Sequence, residues 1–70
     1  MAFDNERFAA IMRSKRGELD ISQSELAERS GVYITTIVKY EDGATTPGAD
    51  KVCALADALD CTPNDLLGWK

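Results

Sequence analysis

Seventy residues, 44% apolar and 29% charged with a formal net charge of −4, describe one small globular domain of residues 1–70. No apolar run approaches the ~18 residues of a membrane span, and no signal-peptide core follows Met1, so the cytoplasm is the expected compartment. The absence of histidine removes the commonest general base and metal ligand, and two cysteines are too few for structural zinc. No catalytic site, metal, cofactor, membrane partner or small-molecule substrate is therefore expected.

The apolar pattern is helical along the chain. Phe8, Ile11, Met12 and Leu19 fall near one face of a helix starting around Asp4. Lys15 and Arg16 lie late in it, as the helix dipole favours, and Asp20 can end it in a left-handed conformation. Ser22-Gln23-Ser24-Glu25 reads as a capping box opening a second helix, which Ser30-Gly31 ends. Residues 32–38 are nearly all β-branched or aromatic, and propensity alone makes them a strand. A lone strand has nothing to pair with here, whereas Val32, Ile37, Tyr40 and Glu41 fit a helical face. A third helix is predicted over 34–41. Residues 43–48 are a loop on composition. Ala49 to Leu59 reads as a fourth helix with Val52, Leu55, Ala56 and Leu59 inward. Thr62-Pro63-Asn64-Asp65 starts a fifth, closed by Gly68. Cys53 and Cys61 are expected to be reduced core thiols.

The charge is uneven. Residues 1–40 hold six basic and six acidic residues, whereas residues 41–70 hold two against six. Arg13, Lys15 and Arg16 form a local basic cluster on an acidic chain, so a positive contact face remains possible.

The functional signal is the spacing within residues 23–42. Two short helices meet at Ser30-Gly31-Val32, with Ala27 where they cross. A steep crossing needs a side chain without bulk, and the tight turn needs a residue that accepts positive φ. Residues 14–31, from Ser14-Lys15-Arg16 through Gln23, Leu26-Ala27 and Gly31, resemble the Cro/CI-type (XRE-like) helix-turn-helix domains of lambdoid phage repressors. Residues 54–67, Ala54-Leu55-Ala56 through Pro63-Asn64-Asp65-Leu66-Leu67, are similar to that family's last two helices.

The resemblance implies an all-α, five-helix, lambda-repressor-like domain from a bacterium or phage. It would bind double-stranded DNA sequence-specifically as a homodimer on a two-fold operator, reading the major groove with helix 34–41 and acting as a repressor of transcription. Base-edge positions fall on Ile34, Thr35, Val38 and Lys39. Phosphate positions fall on Gln23, Tyr33, Thr36, Arg13, Lys15, Arg16, Thr45 and Thr46. Arg16 and Glu41 match a structural salt bridge, and Pro63, Leu66, Leu67 and Trp69 are the expected dimer surface. Taken singly, Gln23 is also an ordinary helix former and Lys39 an ordinary solvated lysine. Ile34 and Val38 would normally be core, yet both cannot be buried beside Ile37 and Tyr40 on two turns.

The chain departs from the family pattern in several places. Tyr33 stands where a small polar N-cap is usual, Ile34 where a polar reader is usual, Ala44-Thr45-Thr46 in an often basic loop, and Asp60 where Gly is common. The contact face is thus less cationic and more apolar. An alternative reading is a protein-interaction module of antitoxin or antirepressor type, docking through Tyr33, Ile34 and Val38.

Overall fold

Each helix starts and stops where the side chains can satisfy its open backbone groups. The computed structural model describes residues 3–68 as α1 (Asn5–Leu19), α2 (Gln23–Ser30), α3 (Ile34–Glu41), α4 (Ala49–Ala58) and α5 (Pro63–Leu67), with no strand among the described residues. The Asp4 carboxylate opens α1 by accepting from the amides of Glu6 and Arg7, at 3.0 and 3.2 Å. Asp20 ends it with a left-handed φ of 55°. The Ser22 hydroxyl accepts from the Glu25 amide at 3.1 Å, but the other half of the expected capping box does not form. The Glu25 carboxylate instead accepts from Arg29 at 2.7 Å, one turn further on. The reciprocal box is at α5: Asp65 N–H donates to the Thr62 hydroxyl and Thr62 N–H to the Asp65 carboxylate, both at 3.1 Å.

Gly31 ends α2 with φ 75°, and a Cβ placed there would meet no atom within 4 Å. Conformation, not space, is therefore what makes glycine necessary at this turn. Val32 follows and is buried. α3 starts at Tyr33 without any side-chain cap bond, as its sequence predicts. Tertiary packing overrides strand propensity here, because the helix buries Ile37, Tyr40 and Glu41 on one stripe.

The five helices pack α1 on α3 and α5, α2 on α3 and α4, and α4 on α5. Phe8, Met12, Leu26, Ile37, Leu55 and Leu66 are fully buried between them. Phe8 meets the Tyr40 ring edge-on at 6.0 Å, a favoured aromatic geometry.

Several expectations need correction. Ala9 and Ile21 join the core, which their neighbours' pattern did not reveal. Cys53 is exposed, because it lies about 100° around α4 from Val52 and so off the buried stripe of Val52, Leu55, Ala56 and Leu59. Cys61 is half-buried, and both thiols are free. Leu66 has no exposed surface and cannot contact a partner, since it closes the core beneath α1 and α4. Pro63 is exposed and Leu67 half-buried, while Trp69 lies outside the described residues.

Candidate nucleic-acid interface

The α2–turn–α3 unit is fixed to α1 by one buried carboxylate. Glu41, at the last position of α3, is only 5% exposed. Its Oε2 accepts from Arg16 Nε and its Oε1 from Arg16 Nη2, both at 2.9 Å. This two-pronged geometry is the strong form of an arginine–carboxylate pair. Gln23 Nε2 donates to the same Oε1 at 3.1 Å, which adds the first residue of α2. Arg13 donates to the Glu41 backbone carbonyl and so occupies one of the acceptors left open at the α3 C-terminus. Arg16 Nη1 also donates to the Ile21 carbonyl at 3.1 Å. The hydrogen bond to Glu41, more than the simple attraction of its charge, holds the Arg16 pKa above its ordinary value, against the opposing cost of burial.

These contacts decide which expected phosphate groups keep free donors. Arg16 has committed three of its five N–H donors inside the fold. Arg13 uses one of its five donors on the Glu41 carbonyl, as a brace for α3, and keeps the other four. Thr46 donates its hydroxyl to the Asn5 side chain at 2.9 Å, tying the 43–48 loop to α1. Lys15 lies 3.7 Å from Glu18 in a surface pair of small energetic weight. Gln23 uses one N–H on Glu41 and retains the other. Thr36 is half-buried, and Tyr33 and Thr45 are exposed.

The expected base-edge residues Ile34, Thr35, Val38 and Lys39 are all exposed. Residues 34 and 38, and 35 and 39, are one turn apart, so the four form a single ridge opposite the buried stripe. Tyr33, Ile34 and Val38 are the large hydrophobics classed as exposed among the described residues, at 83%, 40% and 36%. Ile34 and Val38 are both exposed, as expected of a two-turn helix that already buries Ile37 and Tyr40. The roles of Arg13 and Gln23 around Glu41 are not legible in the sequence. The only available signal was that Arg13 and Arg16, three apart, share a helix face.

Among the described residues, no group of three or more His, Cys, Asp or Glu side chains gathers for a metal. Burial holds the Cys61 pKa above its ordinary value. No helix among the described residues is long and apolar enough to cross a membrane.

Comparison with known proteins agrees with this geometry. The sequence profile of the HTH_3 helix-turn-helix family matches residues 12–66. Repressor protein C2 of Salmonella phage P22 is 36% identical over 56 residues, covering 80% of this chain and 26% of that protein. The cryptic phage CTXphi transcriptional repressor RstR of Vibrio cholerae is 28% identical over 57 residues, covering 81% of this chain and 51% of RstR. The chain thus spans about a quarter of the first and about half of the second. The crystal structure of the restriction-modification controller protein C.AhdI from Aeromonas hydrophila superimposes with a TM-score of 0.86 at 30% identity, covering 90% of this chain and 96% of that one. The chain belongs to the helix-turn-helix family HTH_3, and its fold is that of C.AhdI.

Proposed function

We propose that this chain is a sequence-specific, double-stranded DNA-binding regulator of transcription, acting as a repressor in the bacterial cytoplasm. The observation that carries the reading is the exposed ridge Ile34, Thr35, Val38 and Lys39 on a helix braced from behind by Glu41. An α-helix with its side chains is about 10–12 Å across, which matches the ~12 Å major groove. Lys39 would donate to guanine O6 or N7. Phosphate contacts would come from the free N–H of Gln23, the amides at the α2 N-terminus, the Tyr33 hydroxyl, Thr36, Lys15 and Thr45. Arg16 and Thr46 serve this surface by holding its parts in place, and Arg13 does so with one donor while its others remain free for phosphate. The relatives named as repressors and as a controller protein support the regulatory reading.

A surface with so few free cations gains little from counterion release, so a single half-site would bind weakly. The chain would therefore act as a homodimer on a two-fold operator. An apolar groove of about 360 Å³, lined by Phe3, Pro47, Val52, Cys53, Pro63 and Leu67 among others, is the surface we assign to that contact.

Fluorescence anisotropy against the DNA flanking the gene, with a shuffled duplex as control, tests the reading. The expected result is preferential binding of the flanking DNA, with Lys39→Ala removing about 1–3 kcal/mol of it. Equal binding of both duplexes, with Lys39→Ala unchanged from the parent, would contradict it.

A further inference from the structure

The ridge of α3 has an unusual chemistry for a surface that meets nucleic acid. Ile34 and Val38 lie one turn apart, 40% and 36% exposed, with Thr35 between them and Tyr33 at the helix start. Neither the Tyr33 hydroxyl nor the Thr35 hydroxyl makes a hydrogen bond among the described residues. Helix α3 has no exposed carboxylate: Glu41 is its one acid, buried and matched by Arg16. Lys39 has no ion-pair partner among the described residues. The face is therefore apolar with one positive charge, on a chain whose net charge is −4.

An aliphatic ridge cannot read a hydrogen-bonding edge. In the major groove the one apolar feature of an unmodified base pair is the C5 methyl of thymine. Resting on the DNA-binding reading above, we infer that Ile34 and Val38 select half-sites by packing on thymine methyl groups, with Lys39 as the polar anchor beside them. Membership of the helix-turn-helix family favours DNA over another polypeptide as the occupant. Lys39 gives the ridge an ammonium group, and the Glu28 carboxylate of α2 flanks only its Tyr33–Ile34 end.

The test uses the whole chain and a duplex enriched from a randomised library by repeated binding. The same duplex is then made with 2′-deoxyuridine for thymidine, which removes only the methyl groups. The expected result is weaker binding of the deoxyuridine duplex, by roughly fourfold for each methyl lost from the contact. In Ile34→Ala and Val38→Ala the ratio between the two duplexes should fall towards one. Lys39→Ala should weaken both duplexes alike and keep the ratio. Both aliphatic side chains are exposed, so folding should survive, and circular dichroism verifies it. A selected duplex that binds equally well with and without its methyls overturns this inference and leaves DNA reading intact. Failure to enrich any duplex overturns the DNA reading as well and favours a protein partner for the ridge.

Discussion

Replacing Arg16 with methionine would leave the Glu41 carboxylate, with its side chain only 4% exposed, facing an apolar group in place of its cation. An enclosed pair broken in this way costs about 3–5 kcal/mol. Arg16 keeps 22% exposure, so water screens the pair in part, and about 2–3 kcal/mol is the expected loss for Arg16→Met. In a domain of this size that lowers the thermal midpoint by roughly 10–20 °C, readable by circular dichroism. A midpoint within a degree of the parent would show that the pair is decorative. The pairing of Arg16 with Glu41 was legible in the sequence through family resemblance. The Arg13 contact was not, since a side chain meeting a backbone carbonyl 28 residues away leaves no pattern in residue types.

At the level of the helix, starts and stops follow from local chemistry and were mostly readable. Asp4, Asp20, Ser22, Gly31 and Thr62 each do what their side chain or φ preference favours. α3 is the exception, since Tyr33 supplies no side-chain acceptor to its first turn. Tyr33→Ser should supply one and stabilise the fold by about 1 kcal/mol, as Tyr33 is 83% exposed and loses little packing. A thermal midpoint that falls in this variant would contradict the account of α3.

α5 carries a pH dependence. Backbone and side-chain hydrogen bonds from Thr62 hold the Asp65 pKa below its ordinary value. A carboxylate lowered in the folded state stabilises above its unfolded pKa and loses that effect as pH falls through the folded one. Asp65→Asn should therefore be less stable than the parent at neutral pH, and the gap should close below about pH 4. A gap constant across this range would show that the box contributes nothing through charge. Leu66 was misplaced in the sequence reading because five residues are too few for the helical period to separate Leu66 from Leu67.

For the molecule as a whole, the charge asymmetry seen in the sequence becomes a division of labour. The first forty residues are neutral in sum and contain every group assigned to DNA except Thr45, while the acidic excess belongs to residues 41–70, which include α4 and α5. Helix count and fold class were legible from apolar period and capping, with α3 resting on the want of a strand to pair with, and the ridge residues were legible through the family resemblance. The groove lined by Phe3, Pro47, Cys53 and Leu67 was not, because it joins residues from distant stretches with no shared spacing.

The central claim is that α3 lies in the major groove. Amide resonances followed by NMR as an operator duplex is added test it most directly. The account expects the largest shifts at Tyr33, Ile34, Thr35, Val38 and Lys39 and at the α2 N-terminus around Gln23. Shifts confined to α4 and α5, with α3 unmoved, would contradict it.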